Sequence, residues 1–342
     1  MLSERKRTIL KALISDYIQR AEPVGSRTLA RRYNLGISPA TIRNEMADLD
    51  EMGYLEQPHT SAGRVPSYKG YRYFVDSLMQ AEKLTPQEEQ RLSKSLQQRL
   101  AKIDTVFYRA SRALSEVSHY ISLIMGPFLG QQIFRQLRLV PLDSQYVMVL
   151  LITDTGLVQN RIVEIPAGVS AAELDQIARL FTKLLAGVPL EDLTSSLLQE
   201  LYTMFSRRNR FLQEFFADLI TNLAADEGER VYLGGTTNLL KHPEFNDMEK
   251  VRGLLGLLEE REFLCSLLAD VTSEDIEITI GEENKYVEMK ECSIVTASYE
   301  IGGRKVYTIG VLGPTRMDYA RVVSAVDFMR KQLSDTLREI IR

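Results

Sequence analysis

The segment 38–47 carries the side chains with the clearest potential chemistry, which is recognition of the edges of DNA bases. Ser38 followed by Pro39 predicts a helix start, since a side-chain N-cap and a proline at the first helical position both favour one. The inward positions of that helix are apolar: Ile42, Met46 and Leu49. The outward positions hold Ala40, Thr41, Arg43 and Asn44, which together with Ser38 and Pro39 are the candidate DNA contacts of this helix. Arginine can bind guanine O6 and N7, asparagine can bind adenine N6 and N7, and small methyl groups can contact thymine.

The charges along this helix also indicate a partner for Arg43. A helix is stabilised by acidic residues near its N-terminus and basic residues near its C-terminus, each by about 0.3–1 kcal/mol. Here Arg43 lies near the start, whereas Asp48, Asp50 and Glu51 lie near the end. Neither placement favours the isolated helix, so we expect Arg43 to bind a phosphate or a base.

The segment that follows has the composition of a β-hairpin wing. Residues 59–63 predict a glycine-containing turn between two short strands, and Pro66 suits an edge position in the second strand. The candidate DNA contacts of the wing are His59, Thr60, Ser61, Gly63, Arg64 and Lys69. For His59, a polar loop position or a phosphate contact is favoured over a catalytic base. The basic and aromatic residues from Tyr68 to Tyr73 either add backbone contacts or hold the wing on the first helix.

Three helices are predicted to position these side chains. The first runs from Ser3 to about residue 20 with an apolar stripe at helical spacing, and it ends before Pro23. The second carries Arg27 and Arg31 on outward faces, where we expect them to contact DNA phosphates, and residues 34–37 form the turn before the third helix. Helical spacing alone fits an inert three-helix bundle with a solvated charged face equally well. The hairpin favours a winged helix-turn-helix that binds DNA.

The charge distribution agrees with a nucleic-acid contact in this N-terminal domain. Residues 1–75 hold 12 Lys/Arg against 8 Asp/Glu, a balance of +4, which leaves −8 for residues 76–342. A basic domain on an acidic body is typical of a protein that binds nucleic acid through one domain. An excess this small also fits chance unevenness.

The rest of the composition argues against an enzyme. The sequence has no nucleophile–base pair, metal-ligand cluster or cofactor motif, and it has 3 histidines. Cys265 and Cys292 lack metal-ligand spacing and predict a reducing compartment. The charged start lacks the apolar core of a signal peptide, and no apolar run nears the ~20 residues that span a bilayer. We therefore expect a cytoplasmic protein with no catalytic residue, metal, cofactor or membrane contact.

The body predicts an antiparallel sheet that is split by an insert. The runs rich in β-forming residues are 137–140, 146–152, 158–163, 276–280, 293–300 and 305–312. A long insert, residues 191–275, separates the first three runs from the last three. Its segment 201–220 predicts a helix rich in aromatic side chains, which fits either a subunit interface or an ordinary local core.

Five stretches of the sequence carry a family resemblance. They are VGSRTLA at 24–30, SPATIRNEMADLDEMGYL at 38–55, HTSAGRVPS at 59–67, GEEN at 281–284 and GPTRMDYARVVSAV at 313–326. They resemble the heat-inducible transcription repressor family HrcA of bacteria, and the likeness spans the whole chain. The wing sequence is far more specific than a general winged helix.

The resemblance implies an α+β fold with three parts. These are an N-terminal winged helix-turn-helix, a GAF-like α/β domain with an antiparallel sheet, and a dimerisation domain inserted within it. Combined with the strand pattern, this predicts a DNA-binding domain at 1–80, a linker and helix start at 81–103, a discontinuous GAF-like domain at 104–190 and 276–342, and the insert at 191–275.

The resemblance also implies a mechanism. It implies a negative regulator of heat-shock (chaperone) operons that binds an inverted-repeat operator, the CIRCE element, as a homodimer. It further implies control by the GroE chaperonin, which keeps the repressor in its DNA-binding form until heat stress titrates the chaperonin away. The alternative is a repressor whose GAF-like domain senses a small-molecule effector.

Overall fold

The computed structural model describes residues 2–59, 62–96, 103–126, 132–154, 158–165, 169–192, 230–269, 271, 275–301 and 304–341. Two of the predicted wing residues, Thr60 and Ser61, lie outside these ranges, as does the predicted aromatic helix at 201–220. Below, residues 2–78 are called the head, and the described residues from Pro86 to the end are called the body.

The head has the predicted order of three helices followed by a hairpin. Its elements are α1 (Glu4–Arg20), α2 (Ser26–Arg32), α3 (Pro39–Glu51), β1 (Leu55–Glu56), β2 (Val65–Pro66) and α4 (Tyr68–Tyr73), which continues into a π-helical segment, Phe74–Leu78. The apolar stripes of the helices form a closed core, in which the following residues have no exposed surface: Ile9, Leu10, Leu13, Ile14, Leu29, Ile42 and Leu49. The predicted winged helix-turn-helix is therefore confirmed in the head.

The main sheet of the body is antiparallel and has five strands within the described residues. In spatial order the strands are β7 (Val231–Gly234), β3 (Ile121–Met125), β10 (Arg304–Pro314), β9 (Cys292–Ile301) and β8 (Glu277–Ile280). Each neighbouring pair is antiparallel. Successive side chains of a strand point to opposite faces, so both faces of this apolar sheet need a covering layer.

Helices supply a layer on each face of the five-stranded sheet. The helices on one face are α5 (Pro86–Leu96), α6 (Ile103–Ser118) and α10 (Tyr319–Ile341), and those on the other are α8 (Met248–Glu259) and α9 (Arg261–Ala269). Strand β3 shows the alternation directly, because Leu123 faces α8 and α9 whereas Ile124 belongs to the other core. Helices on both faces of an antiparallel sheet agree with the α+β architecture predicted from the sequence.

A second, smaller sheet is formed by β4 (Phe134–Pro141), β5 (Tyr146–Thr153) and β6 (Val158–Glu164). Both pairs of neighbouring strands are antiparallel. Helix α7 (Ala171–Leu185) covers one face, where alternate strand residues such as Leu137, Val149 and Phe181 of the helix form a separate core. The prediction of these three strands is confirmed.

The assignment of strands to domains differs from the prediction. Strands β4–β6 were expected in the same sheet as residues 276–312, but they pair only with one another among the described residues. Residues 231–234 were expected in the insert, but β7 is an edge strand of the five-stranded sheet. For these two segments the predicted boundary is wrong, since the chain enters the small sheet after β3 and returns at β7.

Part of the segment 81–103, which was predicted as a linker and helix start, forms a helix that packs against the body. Helix α5 begins at Pro86, and its Leu92 and Leu96 are buried against the body. The linker is therefore short. It comprises residues 79–85, between the π-helical segment and α5.

Candidate nucleic-acid interface

Helix α3 begins where the sequence predicts, and its own side chains cap its first turn. The Thr41 backbone N–H donates to Ser38 Oγ at 3.1 Å, and the Ser38 and Thr41 hydroxyl oxygens lie 2.9 Å apart. Pro39 occupies the first turn, where the missing N–H removes no helical bond. Ser38 and Pro39 are both exposed. They therefore fix the point at which α3 emerges at the surface.

The outward face of α3 presents the predicted base-reading side chains. Ala40, Arg43 and Asn44 are exposed, and Thr41 is partly exposed. The side chains of Arg43 and Asn44 have no hydrogen bond or ion pair within the described part of the chain. A guanidinium and an amide without internal partners are available for the edges of bases or for phosphates.

Three of the four acidic side chains of α3 have cationic partners within the head. Lys6 Nζ donates to Glu45 Oε2 at 2.7 Å and to Asp48 Oδ2 at 2.8 Å. These bonds to Asp48 and Glu45 raise the pKa of Lys6 above its ordinary value. Arg64 Nε forms an ion pair with Asp50 Oδ2 at 2.9 Å. Three carboxylates near the C-terminal half of α3 thus have cationic partners. Arg43 has no acidic partner among the described residues.

The wing residues Gly63 and Arg64 lie at the base of the hairpin. They contact Val24, in the segment before α2. Val24 and Arg64 exchange two backbone hydrogen bonds of 2.9 Å. A Cβ on Gly63 would come within 2.5 Å of the Val24 carbonyl, so this position requires glycine. Arg64 was expected to contact DNA; the structure places its side chain against Asp50, with 19% of it exposed.

Lys69 also has internal partners, although it is exposed. Its Nζ donates to the Met52 carbonyl at 2.7 Å, at the C-terminal end of α3, and lies 4.5 Å from the centre of the Tyr54 ring. A cation at a helix C-terminus is favourable because the last carbonyls carry partial negative charge. This geometry makes Lys69 a support for the end of α3, and a phosphate contact would compete with these bonds.

The remaining predicted contacts lie on the exposed surface of the head. Arg27 and Arg31 are exposed on α2 and have no ion pair among the described residues. His59 is exposed at the wing turn, where its carbonyl accepts from the Ala62 N–H at 2.8 Å. Arg27, Arg43 and Asn44 are therefore exposed on the head and have no partner among the described residues.

Two descriptions of protein families match the chain. "Winged helix-turn-helix transcription repressor, HrcA DNA-binding" matches residues 1–78, and "HrcA protein C terminal domain" matches residues 104–323. The chain belongs to the HrcA family.

Curated members of the HrcA family are similar over the whole length. The "Heat-inducible transcription repressor HrcA" of Symbiobacterium thermophilum is 44% identical over 99% of each chain. The protein of that name from Natranaerobius thermophilus is 46% identical over 98% of this chain and 97% of its own. A solved structure described as a hypothetical protein is 24% identical and covers 98% of this chain and 99% of its own, with a TM-score of 0.68. That structure supports the fold alone.

Some residues that support the HrcA head were not found from the sequence. Lys6 lies on α1, and no local pattern links it to acids about forty residues later. Asp16 is 3% exposed and accepts two hydrogen bonds from Arg32, at 2.8 and 2.9 Å. A polar residue inside the apolar stripe of α1 was the available signal for Asp16, since a buried carboxylate requires a partner.

Metal and membrane sites were not expected for this HrcA-family chain. Within the described ranges, no group of three or more His, Cys, Asp or Glu side chains is arranged to hold a metal ion. No helix in those ranges combines the length and the apolar character that crossing a bilayer requires.

Proposed function

We propose that this chain is a transcription repressor of heat-shock (chaperone) operons and acts by binding double-stranded DNA. The proposal rests on the outward face of α3, next to the wing. There Arg43 and Asn44 are exposed and have no hydrogen bond or ion pair among the described residues. Membership of the HrcA family supports the same function, because its curated members are named heat-inducible transcription repressors. Repression by DNA binding requires no catalysis, so the chain is not an enzyme.

The proposed binding mode places α3 in the major groove and the wing beside it. In helix-turn-helix proteins, residues near the N-terminus of the recognition helix contact base edges. Here those residues are Ala40, Thr41, Arg43 and Asn44. Phosphate contacts then come from Arg27 and Arg31, and from the wing residues His59, Thr60 and Ser61. Gly63, Arg64 and Lys69, counted among the contacts from sequence, act mainly by holding the wing and α3 in place.

We also propose a homodimer that binds an inverted-repeat operator of the CIRCE type. A two-fold dimer matches a palindromic site, with half-sites separated by whole turns of about 34 Å. The face of the β4–β6 sheet away from α7 carries exposed apolar side chains that support this assembly: Val140, Tyr146, Val158 and Ile162 are 41%, 42%, 49% and 62% exposed. In the register, Met148 lies opposite both Val140 and Ile162, so these side chains form a continuous surface. We propose that a second copy of the chain covers it.

Control by the GroE chaperonin and a cytoplasmic location complete the proposal. Under this mechanism, chaperonin maintains the DNA-binding form, and proteins damaged by heat compete for it, so that repression is lifted. A direct test compares operator affinity after refolding with and without chaperonin. Equal and full affinity in both preparations would remove the chaperonin from the mechanism.

The proposed DNA function is tested by selection of binding sites from a random duplex library by the full-length chain. We expect an inverted repeat to be enriched, with an affinity that falls steeply with salt because phosphate contacts release counterions. Enrichment of no sequence would contradict the proposal.

A small-molecule sensor is the second candidate function. A cavity of about 160 Å³ lies between α9 and strands β8 and β9, and its lining includes Thr279, Glu283, Tyr286 and Thr296. A screen of metabolites for a shift in melting temperature distinguishes this function from control by chaperonin. A hit that also changes operator affinity would favour the sensor.

A further inference from the structure

Two arginines join the head to the body, and their contacts are called the two joints below. Arg72 contacts the GEEN stretch, and Arg316 belongs to the GPTR stretch. Arg72, on α4 of the head, donates through Nε to Glu283 Oε1 at 2.8 Å and through Nη2 to the second oxygen of the same carboxylate. Its Nη2 also donates to the Ile278 carbonyl on β8 at 2.5 Å. Glu283 is held in turn by the Ile280 N–H at 2.7 Å. The GEEN stretch therefore presents a positioned carboxylate to the head.

In the second joint the arginine belongs to the body and its partner belongs to the head. Arg316, in the GPTR stretch, donates through Nη1 to the Ile18 carbonyl in the last turn of α1 at 2.9 Å. Its Nε is bonded to Glu244, and the Arg316 side chain is 12% exposed. A buried arginine that spans a helix C-terminus and a carboxylate has a fixed orientation, because both of its partners are fixed.

Aromatic contacts lie between the two joints. The rings of Tyr71 in the head and Tyr319 in the body are 6.2 Å apart, and both residues are almost fully buried. A Cβ on Gly281 would meet the Tyr68 ring at 2.1 Å, so that ring lies directly on the GEEN backbone. The head core and the α10 core form one continuous apolar cluster. The head is therefore docked on the body, not suspended from it.

Docking leaves the DNA-reading face free. The joints use the end of α1 and the outer side of α4, whereas Arg43 and Asn44 on α3 remain exposed in the same structure. The orientation of α3 relative to the body is thus set without covering α3.

We propose that Arg72 and Arg316 are positioning residues that hold the head at one orientation on the body, so that a dimer binds only operators of matching half-site spacing. The inference rests on the proposed function, because it requires an operator-binding dimer. Two heads held rigidly can engage two half-sites together only at one separation, and avidity is lost where geometry forbids simultaneous contact. Heads released onto residues 79–85 have a reach of about 25 Å. Half a helical turn moves a half-site by about 17 Å along the axis and onto the opposite face of the duplex, a displacement that two released heads of a dimer can span together.

The experiment measures affinities of the full-length chain for three duplex probes. They are the operator enriched by selection, the same operator with about half a turn added to its spacer, and a single half-site. The test protein carries Arg72→Gln with Arg316→Gln. The matched control carries Arg179→Gln, which removes an exposed arginine–aspartate pair within α7, away from the head.

For the wild-type and control chains we expect the lengthened spacer to lower affinity about a hundredfold, which is the avidity of the second half-site. For the double variant we expect a loss of less than about fivefold on the lengthened spacer, and unchanged affinity for the half-site. A hundredfold loss retained by the double variant would overturn the proposal. A wild-type chain that is insensitive to spacing would overturn it as well.

A second variant pair separates positioning from damage to the head. Glu283→Gln with Arg316→Gln removes the ion pair of Arg72 and the contacts of Arg316, while it leaves the bond from Arg72 to the Ile278 carbonyl and every head residue unchanged. Both pairs must lose the dependence on spacing; different behaviour of the two would contradict the proposal. A wild-type chain that enriches no operator at all identifies a failure of the proposed function instead.

Discussion

Arg43 is the residue on which sequence recognition depends most in this account. It is exposed on α3 and has no internal partner within the described chain, whereas its acidic neighbours are paired. A guanidinium that makes two bonds to guanine discriminates against other bases by about 1–3 kcal/mol. Arg43 is therefore expected to contribute to specificity, and Arg27 and Arg31 to general affinity.

Substitution of Arg43→Ala is expected to weaken operator binding by about 1–3 kcal/mol while leaving binding to scrambled DNA nearly unchanged. Fluorescence anisotropy on both duplexes measures the two losses. Arg112→Ala, at an exposed position of α6, is the matched control and should change neither affinity. Equal losses on operator and scrambled DNA would remove Arg43 from base recognition.

Lys6 is expected to act on DNA binding through the electrostatics of α3. Lys6→Met leaves Asp48 without its partner and Glu45 with only the ion pair to Arg5 at 3.5 Å, and carboxylates on the proposed recognition helix repel phosphates. We expect a several-fold loss of operator affinity that is largest at low salt. Adding Glu45→Gln and Asp48→Asn should restore most of it. A triple variant no better than Lys6→Met would show that the loss comes from misfolding.

His242 predicts a pH dependence of stability. Its ring stacks on Tyr120 with centroids 5.0 Å apart, and burial lowers the pKa of His242 below its ordinary 6.5, with Arg316 and Lys241 acting in the same direction and Glu244 opposing them. The unfolded chain therefore binds a proton at a higher pH than the folded chain. The stability that neutral His242 provides is present above pH 6.5 and is lost as the pH falls from there to the folded pKa.

Melting temperatures between pH 7.5 and 5.5 check this expectation. The wild-type chain should lose stability over the window, and His242→Gln should lose less. The exposed His119 has a pKa lowered in the same direction, so His119→Gln is measured alongside. An identical slope for wild type and His242→Gln would contradict the assignment.

At the scale of elements, the wing depends on one close backbone approach. Gly63 lies against Val24, where two hydrogen bonds join the hairpin to the segment before α2. Gly63→Ala should destabilise the head by about 1–3 kcal/mol, because the added Cβ has no room. Gly253→Ala is the matched control, since nothing lies within 4 Å of its added Cβ and alanine favours a helix by about 1 kcal/mol. Thermal unfolding measures both, and equal effects would contradict the role of Gly63.

The elements of the head were more predictable than those of the body, for a physical reason. Ser38-Pro39 and the spacing of Ile42, Met46 and Leu49 are local signals, and they determine where α3 begins and which face is buried. The small sheet was different. Alternation identified strands such as β5, but it does not state which strand pairs with which, because pairing depends on contacts distant in sequence. The position of Arg64 was missed for the same reason, since its partner Asp50 lies on α3, outside the hairpin.

For the whole molecule, an inverted-repeat operator requires a dimer, which we propose forms through the face of the β4–β6 sheet away from α7. Ile162→Glu places a charge at the most exposed position of that face and should shift the chain toward monomer, because a buried unpaired charge is costly. Light scattering after size-exclusion chromatography measures the mass. Leu240→Glu, at a residue 56% exposed outside that sheet, is the matched control. A dimer that is unchanged by Ile162→Glu would place the interface elsewhere.

The central claim is that the head reads an inverted-repeat operator through α3. The most direct test is a footprint of the purified full-length chain on the promoter of a chaperonin operon. The account predicts two protected patches related by inverted symmetry, retained with Arg112→Ala and lost with Arg43→Ala. No protection, or a single asymmetric patch that persists with Arg43→Ala, would contradict it.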